Sequence, residues 1–206
     1  MKKLPYGISN YQELIEDEYY YVDKTMYIEK LENLAEKRIM FLRPRKFGKT
    51  LFTSTLENYY DIKKSDKFEK LFKNTYIGKN PTKLRNTYYI LKFNFSGIDT
   101  TNNETAMRGF KEKTSITIKG FVEKYGLNFY TNPDLTAEGL LSDLIEAFKT
   151  QKTGEKLYVI IDEYDHFANE LLGFNTNQFK NLVSKNGKIR KWYEILKEGT
   201  ESVIDR

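Results

Sequence analysis

An α/β layer structure with a mainly parallel sheet flanked by helices is the fold class this sequence predicts, and three stretches predict it. Ile39-Met40-Phe41-Leu42 is a short apolar run of the kind that a sheet buries on both faces. Tyr88–Phe95 alternates and is rich in β-forming residues, as a strand should be. Leu157-Tyr158-Val159-Ile160-Ile161 is the most apolar run of the chain and closes on Asp162-Glu163. Helical periodicities separate the three, and alternating strands and helices are the mark of an α/β layer fold.

The elements follow in order. Leu4–Asn10 is turn chemistry, with Ser9 or Asn10 placed to cap a short helix over Tyr11–Glu16. Tyr19–Val22 reads as extended chain ending in Asp23-Lys24-Thr25. A helix over about Met26–Glu36 is expected to face inward through Met26, Ile28, Leu31 and Leu34. After the apolar run at 39–42, Leu51, Phe52, Thr55, Leu56 and Tyr59 recur at helical spacing and carry a helix to about Asp61. Lys63–Lys83 is basic and mixed, with Phe68, Leu71 and Phe72 anchoring another short helix. Thr101–Tyr125 reads as a long helix despite Gly109 and Gly120, and a further helix spans roughly Thr136–Lys149. Helical patterns return over Tyr164–Leu172 and Thr176–Lys197. No internal repeat or low-complexity tract interrupts the chain, and its 206 residues suit one domain of ordinary size.

Composition narrows the chemistry. An apolar content of 39% with 15% aromatics argues for a packed core. The 16 tyrosines and 14 phenylalanines fall mostly at strand or helical spacing, so core packing rather than base stacking is their default role. There is no cysteine and one histidine, His166, so disulfides, thiolate metal sites and histidine-based triads or metal clusters are excluded. No run reaches the length of a membrane span, and MKKLPYGISN has no apolar signal core; the expected location is cytoplasmic. The net charge of +5 and pI near 9.0 belong to a lysine-rich, mixed-sign surface. A nucleic-acid partner is weakly supported. Arg43, Arg45, Lys46 and Lys49 put four cations in seven residues.

Those cations sit where strand, basic loop, Gly48-Lys49-Thr50 and helix follow one another, the framework of a phosphate-binding loop. Backbone N–H groups at a helix start face an anion, a lysine reaches the terminal phosphates and a threonine hydroxyl ligates Mg²⁺. Gly48 lets the backbone approach phosphate closely. Arg45, Lys46, Phe47, Gly48, Lys49, Thr50 and Leu51 are the expected nucleotide-contacting set, with Lys49 on the β- and γ-phosphates. The full pattern G-x-x-x-x-G-K-S/T has Arg43 at its first glycine, and the remaining tripeptide alone occurs in about one chain in ten of this size. The second half of the chain adds the weight. An apolar strand ending in Asp-Glu is a Walker B arrangement: Asp162 holds Mg²⁺, usually through a coordinated water, and Glu163 polarises an attacking water. A further strand between the two motifs describes the additional-strand branch of P-loop ATPases. Asp165 either lines this site or caps a helix.

PYGISNYQELIEDEYYYVDKT, FLRPRKFGKTLFTSTLENYY and YVIIDEYD together resemble the AAA-ATPase-like family of bacterial and archaeal proteins. Its members typically read P-x-G-I-x-x-F, Y-x-Y-V-D-K-T, R-P-R-R/K-F-G-K-S/T and h-h-I-D-E-Y-D. The motifs run in order over about Pro5–Asp165, and Arg43 at the first glycine position is the rule in that family. The resemblance implies an AAA-ATPase-like P-loop domain over 1–206, with 1–37 as its N-terminal motif region and ATP and Mg²⁺ as cofactors. It implies ATP hydrolysis, with Lys49 and Glu163 as catalytic residues and Thr50 and Asp162 as metal ligands, coupled to a conformational change. Tyr21, Asp23, Lys24 and Thr25 are expected near the base or ribose, with a helix-capping role for Asp23 as the alternative. Relatives continue into a strand that ends in a polar sensor residue and into a nuclease-like domain of the PD-(D/E)XK type. The domain is therefore expected to be incomplete at its C-terminus, and the competing reading is a non-catalytic interaction module or inactive fragment. Oligomeric state, partner and ATP-versus-GTP preference have no signature here.

Overall fold

The computed structural model describes residues 2–42, 44, 46–164 and 187–206. They form an α/β structure in two compact units, Met1–Ile90 with Arg206 and Leu91–Asp205, and the division falls within a strand.

In the first unit, α1 spans Tyr11–Glu16 and is capped by Asn10, whose side-chain oxygen accepts from the Glu13 N–H. Helix α2 spans Met26–Glu32, shorter than the periodicity suggests. Only Ile28 of the expected inner face is fully buried, while Met26 and Leu34 are exposed. Helix α3 covers Lys49–Tyr60. A 3₁₀ turn at Ile62–Lys67 then leads into α4 at Phe68–Phe72, whose Phe68, Leu71 and Phe72 are buried as the sequence predicts. The four-residue helix α5, Tyr76–Lys79, has no counterpart in the sequence reading. The unit's core is aromatic: Tyr11 stacks on Phe72 at 5.0 Å and Tyr59 meets Phe72 edge-on at 5.6 Å.

The expected strand at 39–42 is absent. Residues 39–42 belong to no strand, and Met40 and Leu42 are 69% and 73% exposed. An apolar run becomes a buried strand only when neighbouring strands take up its N–H and C=O groups. Among the described residues, the named strands number two and neither pairs with this run. Phe41 is the exception to the exposure, stacked on Phe52 of α3 at 5.3 Å.

The two strands are β1, Tyr88–Asn94, and β2, Lys156–Asp162, neighbours in a small parallel sheet. The Phe95 N–H donates to the Asp162 carbonyl at 3.3 Å where the strands end. In the second unit, Leu157 makes a parallel bridge to Ile204, with the Leu157 N–H on Val203 and the Asp205 N–H on Leu157. Helix α6, Asn103–Tyr125, starts with a reciprocal Asn102–Thr105 cap and stops at Gly126 in left-handed backbone. Gly109 inside it is a packing requirement, since a Cβ there would meet the Ile98 side chain at 2.9 Å. Helix α7, Ala137–Gln151, buries Leu140, Leu141, Leu144 and Phe148. Helix α8, Lys188–Gly199, places Trp192 among Phe93, Phe95 and Phe110 at ring distances of 4.9 to 5.5 Å. The expected helix at Tyr164–Leu172 and the first part of that at Thr176–Lys197 lie outside the described residues, as do Arg43, Arg45, Asp165 and His166.

Candidate functional site

Gly48-Lys49-Thr50 belongs to the first unit and Asp162-Glu163 to the second.

The first half is built by a turn. The Phe47 N–H donates to the Pro44 carbonyl at 3.3 Å, Lys46 has φ 67° and Gly48 has φ 77°. Left-handed backbone suits glycine at 48, where nothing would obstruct a Cβ within 4 Å, so conformation rather than space selects it. At Lys46 the same conformation falls on a side-chain-bearing residue and stores strain of the sort that gathers at binding loops. Gly48 is the N-cap of α3 and brings no side chain to satisfy the first turn. Lys49 and Thr50 open the helix, both half-buried, while Lys46 and Phe47 are exposed. Leu51 follows on the inward side.

Helix α3 is held rigidly. The Tyr11 N–H donates to Ser54 Oγ at 2.9 Å, and the Tyr21 hydroxyl bonds to Thr55, itself fully buried. A cavity of about 230 Å³ lies against this framework. Tyr20, Tyr21, Lys24 and Tyr27 line it from the N-terminal segment, and Phe47, Gly48 and Leu51 from the loop and helix. Its walls are mostly apolar and aromatic, with few polar groups, the usual make-up of a small-molecule pocket.

Asp23 and Thr25, expected near the base or ribose, are both engaged in hydrogen bonds with α5. One Asp23 carboxylate oxygen accepts from the Thr25 N–H at 2.8 Å, and the other from the Tyr76 N–H, the first residue of α5, at 2.7 Å. The Thr25 hydroxyl accepts from the Ile77 N–H at 3.1 Å. Asp23 thus caps a helix, but the one fifty residues downstream. Sequence offers no signal for a cap so distant. The cavity residues Tyr20 and Tyr27 were also missed, although the tyrosine triplet at 19–21 was a hint.

The second half sits at the end of β2. Asp162 is 1% exposed. Its Oδ1 accepts from the Glu163 N–H at 3.0 Å, and its Oδ2 has no hydrogen-bond partner among the described residues. A buried carboxylate oxygen in that state carries a desolvation cost that a cation or its water shell would remove. Glu163 has φ 55°, which ends the strand and turns its half-buried side chain out of the sheet's alternation. Among the described residues no group of three or more His, Asp or Glu side chains gathers. The donors suit a hard, oxygen-seeking ion bound by one carboxylate plus other oxygens, not an all-protein cage.

A family model described as "Predicted AAA-ATPase" matches residues 5–206. The chain belongs to that family. The match takes in the N-terminal motif, the Gly-Lys-Thr turn and the Asp-Glu strand end of this AAA-ATPase-like protein. The "Uncharacterized protein in vnfD 5'region" of Azotobacter chroococcum mcd 1 is 46% identical over 61 residues, which are 29% of this chain and 11% of that protein's length. No solved structure matches. No helix of the described residues is long and apolar enough to cross a membrane.

Proposed function

We propose that this AAA-ATPase-like chain binds ATP with Mg²⁺ and hydrolyses it, the turnover driving a conformational change. The observation that carries the proposal is Asp162: a carboxylate 1% exposed at a strand end, with Oδ2 lacking a hydrogen-bond partner. Family membership over residues 5–206 supports the nucleotide.

In this reading the backbone at Gly48 receives phosphate oxygens, Lys49 neutralises the β- and γ-phosphates, and the Thr50 hydroxyl and Asp162 hold Mg²⁺ and its water. The metal would supply charge neutralisation on the triphosphate. Glu163 accepts the proton of the attacking water. Lys46, Phe47 and Leu51 border the phosphates, and the base enters the cavity lined by Tyr20, Tyr21, Lys24 and Tyr27. That cavity provides flat aromatic surfaces for a base.

Three proteins test the proposal, compared for binding of a fluorescent ATP analogue with and without Mg²⁺ and for phosphate release. Lys49→Ala is expected to weaken binding at least about ten-fold and abolish turnover. Glu163→Gln is expected to keep binding while turnover falls by about 10² to 10⁴. Failure of the wild type to bind nucleotide would overturn the reading.

One observation favours a second reading, that of a non-catalytic interaction module. The run at 39–42, expected as the strand ahead of the Gly-Lys-Thr turn, is not a strand, and its Met40 and Leu42 are exposed. A loop on so weak a support could hold nucleotide without turning it over. Equal background rates in all three proteins, with binding retained, would select the module.

A further inference from the structure

The positive charge of this protein is not spread over its surface. Of 34 basic and 29 acidic residues, the stretch from 63 to 85 holds eight and two, leaving 26 and 27 elsewhere. A segment of 23 residues therefore carries net +6, while the remainder of the chain is −1. Lys63, Lys70, Lys73, Lys79, Lys83 and Arg85 are exposed there.

The segment is also rigidly mounted. Phe68, Leu71, Phe72 and Ile77 are all buried, so its apolar side chains face the unit's core and its cations face solvent. Lys64 reaches Gln12 at 2.5 Å, and Lys70 bonds Glu16 at 2.9 Å. With Lys67 close enough to help hold the Glu16 carboxyl below its usual range, these lysines lie along α1. Arg85 lies over the Phe68 ring at 4.3 Å. Lys63, Lys73, Lys79 and Lys83 are left on the exposed surface, opposed within the segment by Asp66 and Glu69 alone.

We infer that this basic strip, from the 3₁₀ turn through α4 and α5 to Arg85, binds the phosphate backbone of duplex nucleic acid without reading sequence. Concentrating the excess charge on one ordered strip creates a directed field that a uniformly lysine-rich surface lacks. Seven of the eight cations are lysines, point charges suited to phosphate, and the one arginine is stacked on Phe68. An anionic membrane surface would attract the same lysines, but the strip adds no apolar side chain to insert there, since Phe68, Leu71, Phe72 and Ile77 are buried. Single strands fit less well too. They favour aromatic platforms, and Tyr76, the strip's one exposed large aromatic, has its hydroxyl bonded to Glu29 at 2.8 Å.

The test is fluorescence anisotropy of a labelled duplex DNA titrated with the full chain from about 50 to 200 mM salt. The quadruple variant Lys63→Glu, Lys73→Glu, Lys79→Glu, Lys83→Glu is compared with a charge-matched control, Lys119→Glu, Lys188→Glu, Lys191→Glu, Lys197→Glu, whose lysines are exposed in the second unit. Binding by the wild type should weaken steeply with salt. The strip variant should lose at least about ten-fold in affinity and show a shallower salt slope by about 0.9 for each contact removed. The control should stay within about three-fold. Equal losses in both variants would reduce the effect to net charge and overturn the assignment. So would the absence of duplex binding, with or without binding to phosphatidylserine vesicles. Far-ultraviolet circular dichroism checks folding; if the quadruple variant fails it, Lys73→Gln with Lys79→Gln must reproduce a weaker loss in the same direction or the inference falls. Binding of the fluorescent ATP analogue, read on the same variants, is expected to be unchanged, so this result stands or falls apart from the ATPase reading.

Discussion

Glu163 concentrates the tension of the second unit in one residue. Its φ of 55° is unfavourable for a residue with a Cβ by about 1 kcal/mol, and nothing in the local fold requires glutamate rather than glycine. Glu163→Gly is therefore expected to raise stability by about 1 kcal/mol in urea denaturation while ATP turnover disappears. A glycine variant that is both less stable and inactive would mean that Glu163 is structural. At this scale the sequence was informative where chemistry is local: Gly48 at a helix start and Asp162 closing a strand were both readable, whereas the left-handed backbone that selects glycine at 48 was not. Lys46 at φ 67° was not, since lysine carries no preference for that conformation.

At the scale of elements, strong periodicity carried through and support from neighbours did not. Helices α1, α3, α6 and α7 lie where their spacing places them, and in α1, α6 and α7 Asn10, Asn102 and Thr136 each satisfy a first-turn N–H from within four residues. The run at 39–42 failed as a strand because a strand is a property of its neighbours. Helix α5 escaped notice because it is only four residues long and, beside its local Thr75 cap, is fixed by Asp23 and Thr25, far back in the chain. Thr25 is fully buried, and Thr25→Val would leave the Ile77 N–H without its acceptor. The expected cost is about 1 to 3 kcal/mol, read from the urea midpoint, with Thr25→Ser losing much less. If valine and serine behave alike, the hydroxyl does not anchor α5.

For the whole molecule, tyrosine ionisation sets an alkaline limit. Burial lifts the Tyr11, Tyr21 and Tyr59 hydroxyls above the ordinary tyrosine value, and the hydrogen bond to Glu29 lifts Tyr76. Each folded value exceeds its unfolded one, so this stabilisation is complete below about pH 10 and is lost as pH rises through the folded values. Unfolding free energy should fall steadily above pH 10. Tyr11→Phe, which gives up the bond to the Leu71 carbonyl, should start about 1 kcal/mol lower at neutral pH yet decline less steeply. Parallel declines for the two proteins would show that Tyr11 does not titrate with unfolding.

The single tryptophan, Trp192, is wholly enclosed by phenylalanines of the second unit. Emission excited in the indole band therefore reports on one half of the molecule by itself. The tyrosines offer no such separation, since Tyr125, Tyr130 and Tyr158 lie in the second unit while Tyr20, Tyr21 and Tyr27 lie in the first. The fluorescence of one ring thus follows the second unit through denaturation without an attached dye.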